Sequence, residues 1–227
     1  AALPESAIEI TGIEVAVDFI PKTTQARASL AAVAAELAEN MAKPPPGPRR
    51  LLHQRTFAAA AGRRATVAAL QEGRSLTIGT PGATDAARAY VKTYDTTPGS
   101  PYAPLPDDKH RVRLERTLTG KDCPITTLGG WRAFKFEALA GYFAQVETTA
   151  EAPAFIGMVR AHWGPALGTP DSPSKRGAHR RQAAPATRRD TALNERIRQA
   201  LRNLTARTKS AGIRWICEPV SLPTTEG

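Results

Sequence analysis

Polar side chains that can do chemistry recur at every second position in short segments of this sequence. They alternate with apolar residues, and they are Glu14, Asp18, Arg88, Tyr90, Lys92, Arg113 and Glu115. Breaking a phosphodiester bond with a tyrosine requires an exposed phenol, a cation that offsets the charge of the phosphate oxygens, and a group that makes the phenol more nucleophilic. The sequence therefore holds the residue types for phosphodiester cleavage.

Two of the acids are candidates for binding a divalent cation. Mg²⁺ and Mn²⁺ prefer carboxylate oxygens, and we expect Asp18 and Glu115, on neighbouring strands, to hold one ion against a scissile phosphate. Glu14 is a weaker candidate ligand, because four strand residues place it roughly 13 Å from Asp18. Tyr90 and Lys92 point the same way, so the ammonium either favours the phenolate or binds phosphate itself.

The same alternation also fits a solvated sheet face with cross-strand ion pairs, and strand pairing is not visible in the sequence. The sequence gives less support for metal sites built from histidine or cysteine and for a nucleotide-binding loop. The four histidines are isolated, which excludes the motif of two His flanking one residue that supplies metal ligands in many nicking enzymes. The two cysteines lack metal-ligand spacing. Residues 77–82 lack the Lys-Ser or Lys-Thr ending of a nucleotide-binding loop and predict a turn.

Four alternating strands are expected to position the polar side chains, over residues 13–19, 75–79, 86–94 and 110–118. The second and third strands predict a hairpin. An Ala-rich helix of about 18 residues is expected after Thr23 or Thr24. The proline-rich residues 43–50 predict a stiff connector, and residues 51–72 are ambiguous, with a strand expected near 51–57. Amphipathic spacing predicts helices over residues 131–142 and 155–163.

The chain is strongly basic, with 227 residues, a formal net charge of +10 and a pI near 10.1. A hydrophobic content of 41% is enough to fill a core. The basicity favours an anionic partner, and we prefer DNA to a membrane surface as that partner. The remaining alternative is that the charge serves only to keep the protein soluble. No apolar run approaches the roughly 20 residues needed to span a bilayer, and two cysteines fit a reducing compartment. We therefore expect a soluble, cytoplasmic protein that does not bind membranes.

Most of the excess charge lies towards the C-terminus, where residues 169–209 hold eleven Lys or Arg against three acids. Residues 164–189 predict a basic, flexible linker. A helix is expected from Asp190, burying Leu193, Ile197, Ala200, Leu201 and Leu204, and residues 213–217 predict a short strand. Phosphate contact is predicted for the following arginines: Arg88, Arg113, Arg180, Arg181, Arg188, Arg189, Arg196 and Arg202.

The order of the motifs resembles the replication initiation proteins of rolling-circle plasmids and filamentous phages that lack the two-His motif. The similarity lies in IEVAVDF at 13–19, LTIG at 76–79, RAYVK at 88–92 and RVRLERTL at 111–118. It covers about half of the chain, roughly residues 8–120. The resemblance implies an enzyme that nicks one DNA strand at an origin and becomes attached to it through tyrosine.

Carried onto the matching positions, the resemblance implies that Asp18 and Glu115 are metal ligands and that Lys92 contacts phosphate. Tyr90 or Tyr94 would be the nucleophile, with Tyr102 as a third possibility. The motifs do not decide among the three tyrosines.

The sequence as a whole predicts an α+β fold with a mostly antiparallel sheet, helices on one face and a basic C-terminal helix. Residues 1–163 are expected to form the initiator-like domain, followed by the linker (164–189) and by the helix and strand (190–227). The predicted function is origin binding and nicking with Mg²⁺ or Mn²⁺, and a homodimer is an open alternative. The competing interpretation is a non-catalytic basic DNA-binding or replication accessory protein.

Overall fold

The structure is a computed structural model that describes residues 9–53, 56–80, 83–97, 100–146, 154–166 and 191–211. These residues form a seven-stranded antiparallel sheet, a separate two-stranded hairpin and several helices. The α+β fold class is therefore confirmed. Within the described residues, no helix is both long and apolar enough to cross a membrane.

The large sheet has the order β3-β2-β4-β5-β8-β1-β9, and each neighbouring pair is antiparallel. Its strands are β1 (Gly12–Pro21), β2 (Arg49–His53), β3 (Thr56–Ala59), β4 (Ser75–Ile78), β5 (Asp85–Lys92), β8 (Arg111–Thr119) and β9 (Ile156–Pro165). The hairpin consists of β6 (Tyr94–Thr97) and β7 (Ser100–Pro104). The helices are α1 (Arg27–Glu39), α2 (Arg63–Gln71), α3 (Leu128–Ala133), α4 (Ala140–Phe143) and α5 (Thr191–Ala211), with 3₁₀ turns at Asp107–Lys109, Gly120–Asp122 and Phe136–Leu139.

One face of the large sheet is apolar because alternate residues of every strand point the same way. Ile13, Val15, Val17 and Phe19 of β1 are all buried there, next to Leu114 of β8. Helix α1 packs on β5 and β8, and α2 packs on β4 and β5, so these helices and the apolar face share one core. The polar alternation of the four predicted strands is confirmed, and we call the opposite side of the sheet the polar face.

Arg116 is an exception to this division, because it points into the apolar side of β8 and is only 2% exposed. Its Nη2 donates to Asp85 Oδ2 at 2.6 Å, and its Nη1 donates to the Lys43 carbonyl at 2.9 Å. Its guanidinium also lies 4.8 Å from the ring centroid of Tyr142. The buried cation is thus paired and hydrogen-bonded, which burial of a charge requires.

Helix α5 packs against β9 and the 3₁₀ turn at Phe136–Leu139. Its predicted apolar stripe is confirmed, since Leu193, Ile197, Ala200, Leu201 and Leu204 are all buried in the common core. Arg196 Nη1 donates to the Ile156 carbonyl at 3.1 Å, and Arg207 Nη2 donates to the Ala161 carbonyl at 2.5 Å. Two arginines of the basic helix therefore hold it to edge strand β9. The predicted linker from residue 167 onward and the predicted strand at 213–217 lie outside the described residues.

The helix predicted over residues 155–163 is wrong, because this segment is strand β9, paired with β1 along its length. The apolar residues of this segment fit the helical period, but Val159, Ala161 and Trp163 also alternate as they would in a strand. A short apolar segment can fit the helical and the strand period equally well. Pairing with β1 decided the outcome. Gly157 permits it, since a Cβ there would lie 2.8 Å from Lys22 Cα.

The helix predicted over residues 131–142 is broken into α3, a 3₁₀ turn and α4. The aromatic residues of this stretch pack as a cluster rather than as one helical stripe. The Trp131 ring centroid lies 5.4 Å from that of Phe136 and 3.9 Å from that of Trp163. The first predicted helix is shorter than expected, since α1 has 13 residues and begins after Ala26 rather than at a threonine cap. Residues 51–72 divide into the remainder of β2, β3 and α2.

Candidate functional site

The strand register places the predicted site residues in two adjacent rows across the polar face. One row runs Arg50–Thr77–Arg88–Glu115–Ala16–His162, and the other contains Tyr90–Arg113–Asp18–Arg160. Both rows cross β5, β8 and β1 at the centre of the sheet. The sheet therefore brings Asp18, Glu115, Arg88, Arg113 and Tyr90 together, as the sequence predicted.

Asp18 is 1% exposed and is surrounded by cations. Its Oδ1 accepts from Arg113 Nε at 2.5 Å, and its Oδ2 accepts from Arg113 Nη2 and Arg111 Nε, each at 2.8 Å. His162 Nε2 lies 3.1 Å from Oδ2. Burial alone would raise the pKa of Asp18, but the hydrogen bonds from Arg113, the nearby His162 ring and the two guanidinium charges hold it well below its usual range. Asp18 is therefore a stable carboxylate.

Glu115 links the tyrosine to the arginines of the same face. Its Oε1 accepts from the Tyr90 hydroxyl at 2.5 Å, and its Oε2 accepts from Arg88 Nε at 2.7 Å. Arg113 Nη1 lies 3.8 Å from Oε1. Burial, the charge of Glu115 and the hydrogen bond to it raise the pKa of Tyr90 well above its usual value. The Tyr90 phenol is therefore protonated at neutral pH, with a carboxylate placed to accept its proton.

Glu14 lies further along β1, where Thr117 Oγ1 donates to its Oε2 at 3.4 Å. Burial raises the pKa of Glu14 first, and the negative charge of Glu115 adds to this shift. The charges of Arg88 and Arg113 act in the opposite direction and do not reverse it. Glu14 therefore holds its proton more tightly than an exposed glutamate, which weakens it further as a candidate metal ligand.

Lys92 ends β5 in the row next to Tyr90, whereas Tyr94 lies beyond the end of that strand. Lys92 is 8% exposed, and its Nζ contacts Asp95 Oδ1 at 3.0 Å. Tyr94 begins β6 and is 51% exposed. Of these two tyrosines, Tyr90 is the one that the structure joins to a carboxylate and an arginine. The side chain of Tyr102 lies outside the described residues.

The side chains as arranged do not fit a divalent ion shared by Asp18 and Glu115. All four carboxylate oxygens already accept hydrogen bonds from arginine or tyrosine, and the Arg113 guanidinium contacts both acids. A bound ion needs free carboxylate oxygens. Among the described residues, no group of three or more His, Cys, Asp and Glu is placed to hold a metal ion.

The predicted DNA-contacting arginines have different environments. Arg88 keeps 40% of its side chain exposed, whereas Arg113 keeps 12%. Arg196 donates to β9, and Arg202 contacts Glu195 Oε1 at 2.9 Å on the exposed side of α5. The other four, in the predicted linker, lie outside the described residues: Arg180, Arg181, Arg188 and Arg189.

Sequence reasoning missed Arg111 and His162 as partners of Asp18. Arg111 alternates with the apolar residues of β8, so its place on the polar face was readable from the sequence. His162 was not, because its segment was predicted to be a helix. Only the pairing of Ala16 with His162 across β1 and β9 brings this ring to the site.

Comparison of the chain with protein-family models, with curated proteins and with solved structures found no match.

Proposed function

We propose that this protein initiates rolling-circle replication by binding origin DNA on the polar face and nicking one strand with Tyr90. The arrangement of Tyr90, Glu115 and Arg88 carries the proposal. A nucleophile, a base within hydrogen-bond reach and a third group that orients the base are the signature of covalent catalysis. Here the phenol donates to Glu115 at 2.5 Å, and Arg88 holds the other oxygen of the same carboxylate.

In the proposed reaction, Glu115 acts as the general base. Because the pKa of Tyr90 is raised, the phenol does not ionise on its own, and its proton passes to Glu115 as the oxygen attacks phosphorus. The bond from Tyr90 Oη to phosphorus forms while the bond from phosphorus to the 3′-oxygen breaks. The departing 3′-oxygen takes a proton from water, and the 5′ end remains attached to the protein.

The cations of the polar face supply the charge that the phosphate requires. Arg88 reaches Glu115 and still exposes two fifths of its side chain, so it can contact a phosphate oxygen without leaving its partner. No step is assigned to a metal ion, because Asp18 and Glu115 are occupied by arginine and tyrosine in this arrangement. A requirement for Mg²⁺ or Mn²⁺ stays a prediction. We propose that the protein acts in the cytoplasm, where its DNA lies.

The test is the formation of a covalent adduct. The full chain is incubated with a pool of randomised single-stranded oligonucleotides labelled at the 3′ end, with and without Mg²⁺ or Mn²⁺. We expect a labelled adduct that survives denaturation and maps to the Tyr90 peptide by mass spectrometry. Tyr90→Phe should abolish it and Tyr94→Phe should not. If wild type yields no adduct under any of these conditions, or Tyr90→Phe yields as much as wild type, the nicking function is rejected.

A second candidate function is non-catalytic DNA binding or a replication accessory role, in which the ion pairs of the polar face are purely structural. The saturation of Asp18 by two arginines and His162 favours it, since a fully paired ion network is also what a purely structural sheet face requires. This function predicts salt-sensitive DNA binding that neither metal nor Glu115→Gln alters, with no adduct.

A further inference from the structure

Phe57 is a large apolar side chain that lies 49% exposed on edge strand β3. Its cross-strand partner is Leu52, whereas the neighbouring Leu51 pairs with Leu76 on the buried side of the sheet. Because successive side chains alternate between faces, Phe57 and Leu52 belong to the polar face. An exposed aromatic ring therefore lies on the same surface as Tyr90.

The register connects Phe57 to Tyr90. Leu52 pairs with Ser75. Leu76 pairs with Ala89 in antiparallel register, which places Ser75 opposite Tyr90. The row that contains Phe57 therefore runs across β2 and β4 to Tyr90 on β5. Three strand spacings separate β3 from β5, which is about 14 Å. The distance suits a strand of nucleic acid that crosses the sheet perpendicular to the β-strands and extends a few nucleotides beyond the Tyr90 phenol.

Cations line the same path. In the adjacent row, Arg88 pairs with Thr77, Thr77 with Arg50, and Arg50 with Ala59 of β3. Arg50 and Arg88 are both half-buried, so each offers part of its side chain to a ligand. The strands of the polar face bear six cationic side chains against three carboxylates, and Asp95 of β6 pairs with two of the six cations. The cations are Arg50, Arg88, Lys92, Arg111, Arg113 and Arg160, and the carboxylates are Glu14, Asp18 and Glu115.

We propose that Phe57 is a base-stacking position for single-stranded DNA, with Arg50 and Arg88 holding the phosphates between it and Tyr90. The inference rests on the proposed function and adds to it the path of the strand and the residue that sets it. A positive surface matches the phosphates, and an exposed aromatic ring stacks on an unpaired base of any sequence. A duplex keeps its bases inside, so the ring has no base to stack on.

The experiment measures equilibrium binding of the full chain in a Tyr90→Phe background, so that cleavage cannot alter the probe. Fluorescence anisotropy is recorded with three probes of equal length: oligothymidine, an abasic phosphodiester chain and a duplex. Phe57→Ala is compared with Met158→Ala, a matched control that is 51% exposed at the opposite edge of the sheet. Phe57→Trp keeps a stacking ring, and its native circular dichroism would show that substitution here leaves the fold intact.

We expect Phe57→Ala to weaken oligothymidine binding by roughly 5- to 150-fold, the range for loss of one base-stacking ring. Phe57→Trp and Met158→Ala should bind it like the parent, and Phe57→Ala should leave affinity for the abasic chain unchanged. Equal losses on the oligothymidine and abasic probes, or no loss on either, would overturn the stacking role. So would equal effects of Phe57→Ala and Met158→Ala on oligothymidine.

This binding assay is independent of the adduct assay. If Tyr90 forms an adduct but binding does not depend on Phe57, only the stacking role fails. If binding depends on Phe57 but wild type forms no adduct, the nicking function fails, whereas binding of single-stranded DNA at Phe57 is supported.

Discussion

Asp18 and Glu115 lie on adjacent strands of one sheet face, and the Arg113 guanidinium contacts both carboxylates. Nε of Arg113 is 2.5 Å from Asp18 Oδ1, and its Nη1 is 3.8 Å from Glu115 Oε1. The position expected for a shared metal ion is thus the position of a fixed positive charge. Arginine supplies positive charge, but it has no lone pair that could take the proton of the Tyr90 phenol. In our proposal Glu115 itself takes that proton.

Replacing Glu115 by Gln should slow adduct formation by about 10²- to 10⁴-fold, because the amide cannot accept the Tyr90 proton as a carboxylate does. Affinity for oligothymidine, measured in the Tyr90→Phe background, should change far less than the rate does. The measurement is the single-turnover rate of adduct formation. Glu72→Gln is the control, since Glu72 is an exposed acid paired with Arg74 remote from the site. A Glu115→Gln enzyme as fast as wild type would leave the base unidentified and contradict this mechanism.

Asp18→Asn should destabilise the fold at pH 7 by about 3 kcal/mol or more, because it removes the charge that neutralises the buried arginines around it. The free energy of unfolding is measured by urea denaturation as a function of pH. The pKa of Asp18 is lower in the folded protein than in the unfolded chain. Its stabilisation is therefore complete above the ordinary carboxyl pKa of about 4 and is lost as the pH falls below it.

The difference between wild type and Asp18→Asn should accordingly shrink as the pH is lowered from 5 to about 2. Asp108→Asn, which alters an exposed acid beside Lys109, serves as the control and should show little difference at any pH. A gap between wild type and Asp18→Asn that stays constant with pH would contradict the ion-pair account.

Glu14→Gln should make the protein more stable at pH 7, the opposite of the Asp18 substitution. The folded state raises the pKa of Glu14 through burial and the charge of Glu115, so ionised Glu14 opposes folding at neutral pH. This penalty is absent below the ordinary glutamate pKa and grows as the pH rises through the folded value. The gain from Glu14→Gln should therefore appear in urea melts at pH 7 and vanish near pH 4. A loss of stability at pH 7 would show that the Glu14 carboxylate is needed where it lies.

Asp85→Ala should cost about 3–5 kcal/mol of unfolding free energy, because it leaves Arg116 charged and unpaired inside the core. The double variant Asp85→Ala with Arg116→Met should recover part of that loss, since the charge and its partner are then both removed. A double-mutant cycle in urea measures the coupling. If the loss in the double variant equals the sum of the losses in Asp85→Ala and Arg116→Met alone, the pair contributes no coupling.

Much of the polar face followed from the sequence, since alternation is a property of each strand's own backbone. Glu14 and Asp18 had to share one side of β1, and Tyr90 had to share a side with Arg88, wherever those strands were placed. The five apolar residues of α5 were equally readable, because helical spacing is local. The exposed Phe57 was not recognised, because residues 51–72 hold two strands and a helix within too few residues to show a clear period.

Only the tertiary structure decided which partners these side chains meet. Arg111 and Asp18 are 93 residues apart in the chain, and their contact depends on the register of β1 against β8. The same pairing of β1 turned residues 156–165 into a strand and brought His162 to the site, and the burial of Arg116 followed from the position of Asp85 on β5. Side-chain alternation is fixed by neighbouring residues, whereas register is fixed by the burial and hydrogen bonding of distant segments, which no local pattern contains.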